Sequence, residues 1–216
     1  MVRFLLVTII FGVSAAFAHA QTATERSAHF RVVHPRTVHA RDAKYILDLL
    51  ETNRDDLLAR VAKANLNVRF PNLDLIFNAT TGDFVARTGM PPWAAAATRK
   101  NKIELQPLPL LKQRQILETT LRHELAHALI DRLSNNQTPR WLAEGLAVYL
   151  AGEGKLLERY RSNTTTSTET IEHSLTAPKS PAEMRSAYAD AYVLVRELIR
   201  TDGETRLWNR LASQLH

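Results

Sequence analysis

The chain has 216 residues, 45% hydrophobic and 23% charged, enough for one domain with a real core and too few for two. It contains no cysteine, which excludes a disulfide framework, a thiol nucleophile and a cysteine-ligated structural metal. The formal charge is +6, but the cations are scattered. The densest run, Arg99-Lys100-Asn101-Lys102, is short enough for a hairpin turn, and no nucleic-acid motif accompanies it, so no nucleic-acid partner is expected.

Residues 1–20 read as a signal peptide. Arg3 supplies the positive start, Phe4 to Phe11 lead an apolar run, and Ala18-His19-Ala20 is a small-residue cleavage site. The run is short for a membrane-spanning helix, so cleavage after Ala20 is preferred over an anchor. Residues 21–216 are then the mature domain, exported to the periplasm or secreted, without stable membrane insertion.

The next stretch alternates strand and helix signals. Residues 29–34, HFRVVH, predict a strand closed by Pro35, with Phe30 and Val32 facing the core. His29, His34 and His39 have no partners at a metal-binding spacing and read as surface or strand histidines. Residues 41–64 predict a long amphipathic helix with Ile46, Leu49, Leu50, Leu57 and Val61 inward. A second strand is expected at 73–77 and a short helix at 82–87. Ala94 to Thr98, the basic turn and Ile103-Glu104-Leu105 predict a hairpin. Its first strand, small in side chain, could lie at a sheet edge and pair with an extended peptide; a plain structural edge strand fits the same pattern.

Residues 117–133, LETTLRHELAHALIDRL, predict an uninterrupted helix. His123 and His127 are four apart and share a face, so both imidazoles can address one zinc ion. Glu124 is rotated off that axis, where it can reach a water without binding the metal. The plainer reading is two core or surface histidines with a charge between them. With no thiol in the chain, any metal is held by His and carboxylates alone, and such a site favours open, catalytic coordination.

After a loop at 134–137, Thr138 and Pro139 predict the N-cap and first turn of a helix reading PRWLAEGLAVYLAG. Two helices joined by so short a loop pack antiparallel, which can turn Glu144 toward the histidines. Glu144 sits among Trp141, Leu142, Leu146 and Val148, where an unpaired carboxylate is costly, and this favours it as third ligand. Asp131 and Glu153 are the rivals, Asp131 better suited to orienting a ligand histidine. Gly145 suggests close approach to the zinc helix. Residues 161–167 read as a polar loop. Ser180-Pro181-Ala182-Glu183 reads as a capping box opening a helix to about Arg200, and Gly203 separates this from a last helix with Leu207, Trp208 and Leu211.

HELAH, Glu144 in WLAEGLAVY, and Tyr188 and Tyr192 in AYADAYVLVREL together resemble the gluzincin zinc metallopeptidases, and most closely the small bacterial peptidase-MA-like domains. The resemblance implies an α+β fold in one zincin-like domain. A small N-terminal mixed sheet with a long helix would precede a helical half carrying the zinc. It implies one Zn²⁺ on His123, His127 and Glu144 with water as fourth ligand, Glu124 as general base, and a downstream tyrosine, Tyr188 before Tyr192, donating to the oxyanion. The implied partner is a peptide or protein substrate. The other expectation is a non-catalytic zinc-bearing envelope module that binds a partner. The chain departs from thermolysin, which has an aspartate four residues after its glutamate ligand; Val148 stands there in this chain.

Overall fold

The computed structural model describes residues 21–162 and 166–213, so the expected signal segment and part of the 161–167 loop lie outside the described residues. Strands β1 (Thr22–Arg26), β2 (Phe30–Pro35), β3 (Leu73–Phe77), β4 (Ala96–Arg99) and β5 (Lys102–Leu105) form one mixed sheet, ordered β1-β2-β3-β5-β4. The two central pairings are parallel and the two outer ones antiparallel. The register aligns Val32, Leu75 and Ile103 in one row across the sheet, all three fully buried. Helix α1 (Ala40–Ala62) supplies the crossover between parallel β2 and β3 and buries Ile46, Leu50, Leu57 and Val61 in the same core. Leu47 is buried as well, and Leu49, expected inward, is only half-buried.

Strand β1 falls in a stretch without an apolar pattern and is exposed along most of its length. It exists because the neighbouring strand offers a free row of backbone groups, to which it pairs from Thr22 opposite Pro35 to Arg26 opposite Arg31. At the other edge, β4 and β5 form the expected hairpin, with Lys100 at φ 54° in the two-residue turn.

Helix α2 (Thr81–Thr88) begins with a complete capping box from Thr80 and Asp83. The rest is helical: α3 (Leu108–Gln113), α4 (Leu117–Ser134), α5 (Arg140–Ala151), α6 (Gly154–Leu157), α7 (Thr168–Thr176), α8 (Pro181–Asp202) and α9 (Glu204–Ser213). Helix α4 lies between sheet and helices, with Leu121, Leu125 and Leu129 fully buried in the common core. Trp208 of α9 joins that core. A smaller cluster of Ile171, Leu175, Ala187 and Ala191 joins α7 to α8. No helix among the described residues is long and apolar enough to cross a membrane.

Three local expectations are corrected. Thr138 does not cap α5; its hydroxyl is buried without a hydrogen-bond partner among the described residues, and the Glu172 carboxylate on α7 takes the free N–H groups of Arg140 and Trp141 at 3.1 and 2.8 Å. Gly145 makes its close approach to α8, not to α4. A Cβ there would stand 2.4 Å from the Ala191 carbonyl oxygen and 2.7 Å from a Val195 methyl. At α8, Ser180 caps as expected, but the Glu183 carboxylate turns instead to the Lys179 N–H and the Ser174 hydroxyl.

Candidate metal centre

Helix α4 buries its leucines and leaves its neighbouring face for polar work. Arg122 fixes its rotation, donating to the Leu150 carbonyl of α5 at 2.5 Å and to Asn53 of α1 at 2.9 Å, and pairing with Asp56. With α4 so fixed, His123 and His127 point away from the leucines and toward α5. Helix α5 runs back along α4: Leu150 meets Arg122, and Glu144 meets His123 and His127.

Three ligand atoms converge. Nε2 of His123 and Nε2 of His127 are 3.1 Å apart, and Oε2 of Glu144 lies 3.4 Å from the first and 3.1 Å from the second. Around a tetrahedral zinc with ligands at about 2.0–2.1 Å, neighbouring ligand atoms stand about 3.3–3.4 Å apart. The triangle therefore has the size of one face of a zinc tetrahedron. Among the described residues these three form the one group of His and carboxylate side chains close enough to hold a metal ion.

The surroundings set the ligands' protonation. Nδ1 of His123 faces Glu153 Oε2 at 2.9 Å. A proton on that nitrogen leaves the Nε2 lone pair aimed into the triangle. Burial opposes charge on His123, but Glu144 and Glu153 outweigh it and raise its pKa well above the ordinary imidazole value. Burial likewise opposes charge on Glu144, yet the two histidines hold its carboxyl well below the usual range. The other Glu144 oxygen faces Arg140 at 3.5 Å. A buried carboxylate beside two imidazole nitrogens is a donor set that a divalent cation fits.

Glu124 lies outside the triangle. Its Oε2 accepts a 2.5 Å hydrogen bond from the Thr98 hydroxyl. The register explains the contact: Thr98 pairs with buried Ile103 across the hairpin, so the two side chains share the face that meets α4. Tyr188 on α8 stands with its ring centre 6.3 Å from that of His123. Burial first, then the Glu144 charge, push its phenol well above the ordinary tyrosine value, so it remains a proton donor. Tyr192 is elsewhere engaged, its ring against Gly154 and beneath Arg196.

The rival carboxylates are sorted by these contacts. Glu153 meets the back of His123 rather than joining the ligand triangle. Burial first, then the Glu144 charge, raise the Asp131 carboxyl above its ordinary value, and it makes no hydrogen bond to either histidine among the described residues, so the expected orienting role does not fall to it. Sequence reasoning missed the orienting role of Glu153 and the Thr98 contact. The first had one signal, an acid held between Gly152 and Gly154; the second had alternation with Ala96 in an otherwise uniform alanine run. A cavity of about 400 Å³ opens beside His123 and Glu124, with Met90, Trp93, Ile116, Leu156 and Met184 in its wall.

No protein-family profile matches the chain, and no curated protein matches it.

Proposed function

We propose that this chain is an exported zinc metallopeptidase of the gluzincin type, with a zincin-like fold, that hydrolyses peptide bonds of peptide or protein substrates. The observation that carries the reading is the triangle of His123, His127 and Glu144 with a carboxylate, Glu124, beside it and not in it. Bound zinc supplies Lewis acidity toward a carbonyl and lowers the pKa of a coordinated water. Glu124 accepts the proton of the attacking water, and Thr98 holds one of its oxygens so that the other stays available. Glu153 holds His123 in the tautomer that ligates. Tyr188 keeps its phenolic proton and donates to the oxygen that becomes negative. Edge strand β4 offers its free backbone groups to an extended substrate beside these residues. The leader-like residues 1–20 support export.

Glu124→Gln tests this reading against a zinc-bearing envelope module that only binds a partner. Zinc content and folding are expected to survive, while chelator-sensitive cleavage of unfolded proteins falls by about two to four orders of magnitude. Equal cleavage by wild type and variant, or zinc binding by both with cleavage by neither, favours the binding module.

A further inference from the structure

A second cavity, of about 660 Å³, lies past the catalytic residues on the same two elements. The cavity beside Glu124 is bounded by Ala94–Ala96 before and at the start of β4 and by Ile116 to Glu124 on α4. The second is bounded by Thr98 and Lys100 further along the hairpin and by Ala128, Asp131 and Arg132 further along α4. Thr98 and Glu124, joined by their hydrogen bond, mark the boundary between the two chambers. Together the two cavities line α4 from Thr119 to Arg132. At 1.5 Å per helical residue this is about 20 Å, the length of about six extended residues.

The two chambers differ in chemistry. The first is walled by Met90, Trp93, Leu156 and Met184. The second gathers Arg69 from the segment before β3, Lys100 from the hairpin turn and Arg132 from the last turn of α4. None of these three cations is in an ion pair among the described residues, whereas Arg31, Arg60 and Arg122 are. Asp131 is the one acid in the wall. Subtracting it and the half negative charge at the C-terminal end of α4 leaves about +1.5 facing the chamber. Asn72, Asn101 and Asn135 add amide donors. Potentials add in such a concave site, so it favours an anion small enough to lie between three cations.

We propose that this basic chamber is a substrate subsite for a carboxylate of the peptide, an acidic side chain or the terminal carboxyl, lying across the scissile bond from the apolar chamber. The proposal rests on the peptidase reading and deepens it by naming the substrate class. An extended peptide would place an apolar side chain among Trp93, Leu156 and Met184 and an acid by Arg69, Lys100 and Arg132.

The test uses the zinc-loaded full chain and a panel of matched short peptides. One Asp is moved through successive positions, and free-acid and amidated C-termini are compared. An acid at one position is expected to raise kcat/KM about tenfold over the neutral peptide, an advantage that shrinks as salt rises. Dependence on the terminal carboxyl rather than on an Asp would name that source. Lys100→Glu with Arg132→Glu is expected to reverse the preference toward Lys at the same position. Arg69→Gln is a milder second variant that should lower the acid preference without reversing it. A flat response to acid position, or a preference that survives charge reversal, overturns the proposal. If wild type cleaves no peptide, the peptidase reading has failed separately, and anisotropy of labelled acidic and neutral peptides decides the subsite. Tighter binding of the acidic peptide to wild type, reversed in the double variant, upholds it; equal binding removes it.

Discussion

His29 and His123 each set Nδ1 against a glutamate, at 2.7 Å to Glu51 and 2.9 Å to Glu153, and the two contacts serve different ends. At His29 the glutamate is the hub. Glu51 also takes the Ser27 hydroxyl at 2.6 Å and the His29 backbone N–H at 3.0 Å, which ties the β1–β2 connection to α1. At His123 the histidine is the hub. Its other nitrogen meets His127 and Glu144, and that convergence makes a set of atoms able to hold a metal ion. A histidine against a carboxylate is therefore a staple or an orienting contact according to what stands on the far nitrogen. Sequence spacing separates the two cases: His123 has a histidine four residues on along a helix, and His29 does not.

The largest expected loss that sharpens this contrast comes from Tyr188→Phe. If the proposed peptidase reading holds, removing this oxyanion donor while keeping Glu124 is expected to lower peptide hydrolysis by about ten- to a thousand-fold, with zinc content unchanged. Tyr192→Phe is expected to be milder, because that ring packs on Gly154. Steady-state kinetics on one substrate compares them.

Glu153→Ala addresses the histidine as hub. Loss of the orienting contact is expected to weaken zinc affinity by about ten- to a hundred-fold, read by competition with a chromogenic chelator. Gly145→Ala attacks the same site from the other helix. The new methyl meets the Ala191 carbonyl, so α5 and α8 must part, at a cost of about 1–3 kcal/mol in denaturant unfolding. Zinc affinity is expected to fall with stability, since Glu144 and Tyr188 ride on those helices.

Glu51→Ala is the smallest effect, about 1 kcal/mol, with zinc affinity unchanged. Its sign with pH follows from the carboxyl itself. Burial raises the Glu51 pKa, but Ser27 and His29 outweigh it and hold the value below the ordinary one. The folded state thus binds the proton more weakly than the unfolded chain. The contribution is full above the ordinary glutamate range and fades as pH falls through the lower folded value. Wild type and Glu51→Ala are expected to converge in stability at acid pH.

Much of the site was legible because its spacing is local. His123, Glu124 and His127 need only a helix, and Glu144 needs only a short connection and a return helix; the apolar stripes of 117–133 and 140–151 declare both. Strands β2, β3 and the β4–β5 hairpin showed their alternation and turn. What was not legible depends on partners distant in sequence. Strand β1 has no apolar pattern and exists by pairing with β2. The α5 cap comes from Glu172, over thirty residues on, which no local cap signal announces. Gly145 declared a close approach without saying to which helix. Glu153 lay among the candidates as a ligand, and only its distance to Nδ1 rather than Nε2 of His123 gives it the orienting task.

On the proposed reading, the convergence on Nε2, not the presence of a histidine–glutamate contact, defines the candidate metal site. Metal analysis of purified wild type, His127→Ala and His29→Ala tests it most directly. One zinc per chain is expected in wild type and in His29→Ala, and no stoichiometric zinc in His127→Ala, with all three folded by circular dichroism. Full zinc in His127→Ala, or its loss in His29→Ala, would contradict this assignment of the site.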